Sequence, residues 1–196
     1  MKKTLKTKII VIFVLALLLN VSPLSAPKKG FAGTTSLPEI DSYAAVLMEH
    51  SRGEIIFAKN GAEQLSPASL TKIMTLILAH EALEQGKVTW SEEVTVSQKA
   101  WETGGSQMFL EIGQRVPFDT LLTGIATISA NDACVAVSEH LYGSEAVFVQ
   151  EMNKKAQELG LTNTQFQNSS GLPHPDHYSS AEDMARLAHY MLQNYP

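Results

Sequence analysis

Ser69 and Lys72 stand three residues apart in the run Ser66-Pro67-Ala68-Ser69-Leu70-Thr71-Lys72-Ile73-Met74, and they are the residue types of an activated nucleophile and its base. At that spacing two helical side chains share one face, within hydrogen-bond reach of each other. The run continues through Leu76, Ile77, Leu78 and Ala79, which leaves almost no polar face and marks a core helix. Lys72 is then at least partly buried. Burial penalises its charged form, lowers its pKa and makes a neutral, proton-accepting amine accessible near neutral pH. Ser69 beside it is a candidate nucleophile. At a helix N-terminus it also meets unpaired backbone N–H groups and the positive dipole end, which favour an oxyanion formed by attack. S-x-x-K is a short pattern, and a helix-start serine followed by a snorkelling lysine satisfies it as well.

A second constellation is Ser129-Ala130-Asn131. It lies in a tight link between two apolar helices, so its polar side chains must find partners or face a cavity. The purely structural alternative is that Asn131 caps the following helix and Ser129 ends the preceding one. Finding S-x-x-K followed about sixty residues later by S-x-N is more specific than either motif alone. His174, Asp176 and His177 form a thin metal-site pattern without an H-E-x-x-H helix, and His177 is better read as fixing its own loop. Cys134, in Ala133-Cys134-Val135-Ala136-Val137, reads as a buried structural thiol. The nucleophile-elbow pattern G-x-S-x-G does not occur.

The elements that must position these groups follow from patterning. A helix is expected over 68–85, with Pro67 in its first turn and Gly86 as the left-handed stop. Before it, two apolar runs at 43–49 and 54–58 flank His50-Ser51-Arg52-Gly53, the signature of a hairpin, in a sheet expected to be covered on both faces. Short strands are expected at 94–96 and 108–110, around a surface loop that borders a cleft. Pro117 opens a helix ending near Thr127, a second helix runs 132–141, and Ser144 caps a third that Gly160 terminates. After a short extended piece at 163–166, a loop spans 168–178, and Ser179-Ser180-Ala181-Glu182 reads as a capping box for the last helix.

The chain has 196 residues, 44% hydrophobic and 18% charged, which suits one globular domain with a substantial core. Its first 32 residues differ. Four lysines precede an unbroken apolar run from Ile9 to Leu19, and small residues follow at Gly30 and Ala32. This is the pattern of a secretory signal peptide cleaved after Ala32, the apolar run being short for a membrane span, with an uncleaved membrane anchor as the alternative reading. Residues 33–196 then hold nine basic and twenty acidic side chains, a balance that makes nucleic acid an improbable partner. One cysteine in an exported chain excludes an internal disulfide framework.

With these residues in hand, the chain resembles the low-molecular-mass penicillin-binding proteins, the serine-type D-alanyl-D-alanine carboxypeptidases. The resemblance rests on Ala45–Glu49 with Gly53-Glu54-Ile55-Ile56-Phe57-Ala58-Lys59-Asn60, on Pro67-Ala68-Ser69-Leu70-Thr71-Lys72, on Ser129-Ala130-Asn131-Asp132-Ala133-Cys134, and on Gly171-Leu172 with His177-Tyr178-Ser179-Ser180-Ala181-Glu182-Asp183. It implies an α+β, penicillin-binding transpeptidase/β-lactamase-like fold, a helical subdomain with an antiparallel sheet. It implies that Ser69 attacks the carbonyl between the last two D-alanines of a peptidoglycan stem peptide, with Lys72 as base. Ser129 would pass a proton to the leaving D-alanine, and Asn131 would hold Lys72 and the substrate amide. β-Lactam antibiotics would acylate Ser69. Neither metal nor organic cofactor enters this scheme.

The family's third motif, Lys-Thr-Gly or Lys-Ser-Gly, occurs nowhere in the sequence. Residues 33–196 are therefore expected to be the N-terminal part of the catalytic domain, with the C-terminal sheet strands absent. Such a chain made alone is expected to be inactive or poorly soluble, because open strand edges and bare helix faces remain. Any membrane association would come only through a missing C-terminal anchor. Two other readings compete. A class A β-lactamase shares the serine–lysine helix, but its middle motif reads S-D-N where Ala130 stands here. A non-catalytic wall- or penicillin-binding relative would keep the cleft without turnover.

Overall fold

A helix with almost no polar face has to be covered on most sides, and α1 (Lys72–Glu84) buries seven of its thirteen residues and exposes only Glu84 at its end. In the computed structural model, which describes residues 39–196, α1 runs between two apolar clusters. Ala79 and Ala82 join Val94, Leu121, Ile125 and Val137 on one flank, while Met74, Ile77 and Leu78 join Phe148, Met152, Phe166 and Leu187 on the other. Each of the larger buried side chains, from valine to phenylalanine, contributes roughly 1.5–3 kcal/mol, and α1 meets such residues on both sides. The export signal expected at residues 1–32 lies outside the described residues.

The first cluster is walled by α3 (Phe118–Ile128) and α4 (Asn131–Tyr142), the second by α5 (Glu145–Glu158) and α6 (Ala181–Asn194). These helices follow the expected boundaries within two residues. Ser144 caps α5 as anticipated, its side chain accepting from the Val147 N–H. At α6 the cap is Ser180, accepting from Asp183, one residue later than the box read at Ser179–Glu182. The Ser179 backbone is occupied instead by an antiparallel bridge to Leu65.

Strands β1 (Ala45–Glu49) and β2 (Glu54–Lys59) form the expected hairpin, antiparallel with an irregularity between Leu47 and Met48. Gly53 takes the left-handed φ of +67° that closes its turn. The sheet is not covered on both faces. Burial alternates along β2, α6 packs on the hairpin, and Leu47 and Ile56 are 56% and 60% exposed. An apolar residue on the outward face leaves the same sequence mark as one facing the core, which is why continuous hydrophobicity misled.

A second ribbon pairs β3 (Glu93–Thr95) with β4 (Arg115–Pro117). Between them α2 (Gln98–Glu102) replaces part of the expected loop, capped by Ser97. The strand expected at 108–110 is absent. The Met108 and Leu110 N–H groups donate to the Asp132 carboxylate rather than to a neighbouring strand.

Candidate active site

The single helix expected over 68–85 is two pieces: a 3-10 turn, Ala68–Thr71, and then α1. Ala68 sits at a left-handed φ of +45°, unusual for a residue with a Cβ. Tertiary contact overrides propensity at this point. Gly171, at φ +85°, lies so close that a Cβ on it would stand 1.9 Å from the Ala68 carbonyl oxygen. Thr71, fully buried, is tied to His177 by a 2.8 Å hydrogen bond between Oγ1 and Nε2. The turn thus presents Ser69 to solvent and tucks Lys72 inward, at 4% exposure.

Lys72 Nζ donates to Ser69 Oγ at 3.2 Å and to the Ser170 carbonyl at 2.7 Å. Burial pulls its pKa below the usual lysine value, an effect that the neighbouring Cys134 opposes only when its thiol is ionised. Cys134 itself is pushed up to about 12 by burial, so it is a neutral thiol at physiological pH. When Lys72 loses its proton, the first of these bonds can reverse, and the amine becomes an acceptor for the Ser69 hydroxyl.

Ser129 ends α3 in the left-handed conformation, φ +60°, and donates from Oγ to Ser69 Oγ at 3.0 Å. Ser69, Lys72 and Ser129 therefore form one continuous hydrogen-bonded chain. Asn131 stands in the first turn of α4, where Ala130 rather than Asn131 is the capping position. Its side-chain amide donates to the Gly104 carbonyl at 2.8 Å and its backbone N–H to the Ser106 carbonyl at 2.7 Å. No bond joins Asn131 to Lys72. The amide is instead braced against the 104–110 loop, which Asp132 pins from the same helix turn.

The sequence did not disclose what holds Lys72 from the other side. The turn at 168–171 does so. Asn168 Oδ1 accepts the N–H groups of Ser170, Gly171 and Leu172, and Thr75 of α1 donates to the Ser169 carbonyl at 2.6 Å. Glu145, at the start of α5, accepts from Ser169 N and Oγ at 2.9 and 2.7 Å with one carboxylate oxygen and from Lys99 Nζ at 2.7 Å with the other. Burial pushes the Glu145 carboxyl up, but Lys99 and the Ser169 donors outweigh it and hold it below the ordinary carboxylate range. The one local signal was Asn168 ahead of Gly171, an Asx-type turn.

His177 accepts the Gln167 N–H at Nδ1, so in the neutral ring Nε2 carries the proton donated to Thr71. Both ring nitrogens are thereby engaged. His174 Nδ1 accepts the Asp176 N–H. Among the described residues no group of three or more His, Cys, Asp or Glu side chains is placed to hold a metal ion.

Residues 32–196 match the family described as D-alanyl-D-alanine carboxypeptidase. The D-alanyl-D-alanine carboxypeptidase DacF of Bacillus subtilis is 46% identical over 193 residues, 98% of this chain and 48% of that protein. Penicillin binding protein 5 from Haemophilus influenzae superposes with a TM-score of 0.80 at 39% identity, over 82% of this chain and 48% of that one. Penicillin-Binding Protein D2 from Listeria monocytogenes, in its ampicillin-bound form, gives 0.72 at 26% identity, over 82% and 66%. The chain spans about half the length of the curated relatives it matches. Its mixed helices and small antiparallel sheets are those of the penicillin-binding and DD-transpeptidase fold.

Proposed function

The chain belongs to the D-alanyl-D-alanine carboxypeptidase family, and from that premise we propose that it carries the nucleophile, base and proton relay of a serine D,D-carboxypeptidase. Neutral Lys72 takes the Ser69 proton as Oγ bonds to the carbonyl carbon between the two terminal D-alanines. The C–N bond then breaks, and the proton held by Lys72 returns through the Ser129 hydroxyl to the leaving amine. Water hydrolyses the resulting Ser69 ester. Asn131, braced on Gly104, holds the substrate amide. The observation that carries this reading is the chain of contacts from buried Lys72 through Ser69 to Ser129, 3.2 and 3.0 Å long.

The same serine would be acylated by β-lactams, the class represented by the ampicillin on the Listeria relative. Residues 1–32 would direct export and 33–196 would form the N-terminal part of the catalytic domain, acting on wall peptides outside the cytoplasm. Among the described residues no helix is long and apolar enough to cross a membrane. The test is release of D-alanine from a stem peptide ending in D-Ala-D-Ala, with mass spectrometry of the full-length protein after penicillin. A stable adduct on Ser69, lost in Ser69→Ala together with D-alanine release, is expected. Rapid turnover of penicillin with no accumulated adduct would point to a β-lactamase.

A further inference from the structure

Lys72 is fastened by a main-chain carbonyl, that of Ser170, and a carbonyl holds only as firmly as its turn. Three elements grip this turn. Asn168 ties it internally, Thr75 takes the Ser169 carbonyl from α1, and Glu145 takes the Ser169 N–H and hydroxyl from α5. Glu145 is the only charged member of that grip. It is 9% exposed, and its outer oxygen is occupied by Lys99 of α2. An ionised carboxylate roughly doubles the strength of the bonds it accepts relative to a neutral acceptor, so of the three ties this one is the stiffest.

We propose that Glu145, braced by Lys99, is a positioning residue for Lys72: it locks the Ser169–Ser170 turn so that the Ser170 carbonyl aims the amine at Ser69. This rests on the reading of Ser69 and Lys72 given above. Glu145 touches neither the nucleophile nor the amine, and its effect passes through one residue of backbone. The ionisable groups around the joint are Lys99 from α2, Lys72 from α1, and Asp132 and Cys134 from α4. Displacing a reacting group by a fraction of an ångström costs rate without changing how substrate is first captured.

The experiment measures acylation of the full-length protein by a fluorescent penicillin, resolved into a limiting rate and a half-saturating concentration. Glu145→Ala is expected to lower the limiting rate about tenfold or more and to leave half-saturation within about twofold. Glu145→Gln keeps an oxygen for Ser169 but loses the charge and the pair with Lys99, and is expected to recover part of the rate, remaining clearly faster than Glu145→Ala. Circular dichroism and a melting curve identify the folded fraction of each variant. An unchanged limiting rate per folded molecule in Glu145→Ala overturns the proposal, as does a Gln variant no better than Ala. Ser69→Ala runs alongside: continued labelling there would sink the underlying assignment, whereas a silent Ser69→Ala with a normal Glu145→Ala sinks only the positioning role.

Discussion

Ser129 Oγ donates a 3.0 Å hydrogen bond to Ser69 Oγ, joining the end of α3 to the 3-10 turn that precedes α1. Ser129 holds this position with a left-handed backbone, a conformation that costs a residue with a Cβ about 1–2 kcal/mol. Two substitutions separate the hydroxyl from the strain. Ser129→Ala and Ser129→Gly should both slow acylation by about 10²-fold or more through loss of proton transfer. Ser129→Gly should in addition unfold at higher denaturant than Ser129→Ala. Stopped-flow labelling and urea titration read the two effects independently, and equal midpoints would refute the strain.

Lys72 carries a pKa lowered by burial. In the unfolded chain a lysine titrates near about 10.4. Between the lowered folded value and that figure the unfolded state binds more protons, so stability rises with pH through this window. Lys72→Met fills similar volume without the charge. It should abolish that slope, raise stability at neutral pH, and cut acylation by about 10²–10⁴-fold. A melting series against pH checks the first two outcomes, and a Met variant less stable than the parent at pH 7 would contradict them.

Gly171 has no room for a side chain, because its Cβ position falls 1.9 Å from the Ala68 carbonyl oxygen and its φ is +85°. Gly171→Ala should destabilise by at least ~2 kcal/mol and displace the turn that presents Ser69. Urea unfolding gives the first number. Penicillin labelling of the folded fraction should fall with it.

His177 is pushed below the ordinary histidine value, mainly by burial and further by His174. Protonating it removes the acceptor used by the Gln167 N–H. Its unfolded pKa lies near about 6.5, so the unfolded state takes up the proton first. Its contribution is therefore present above that pH and declines as pH falls toward the lowered folded value. The urea midpoint should drop on acidification below about pH 6.5, and His177→Gln should flatten that part of the profile. An equal drop in both proteins would rule His177 out as its source.

The serine–lysine pair was legible because one helical turn is a local relation, readable from spacing alone. Ser129 and Asn131 were legible because polar residues in a tight link between apolar helices demand partners. What holds them was not. The acceptors are the carbonyls of Ser170 and Gly104, and a main-chain oxygen leaves no mark on composition. Glu145 reaches the site from a helix start, where an acid already has an ordinary reason to be. The break between the 3-10 turn and α1 comes from Gly171 packed on Ala68, a contact no propensity scale contains. Leu47 and Ile56 mislead for the complementary reason, since hydrophobicity states what a face prefers and not what it meets.

Because α1 shares its flanks between two separate apolar clusters, the amine at its first residue is registered against both. Added bulk beside Phe148 and a void beside Val137 would both move α1 toward the Val137 flank, because each cluster borders one side of the helix. Repacking either cluster is thus expected to reach the amine at position 72 through the helix that carries it, and volume-conserving exchanges are the ones the chemistry should tolerate.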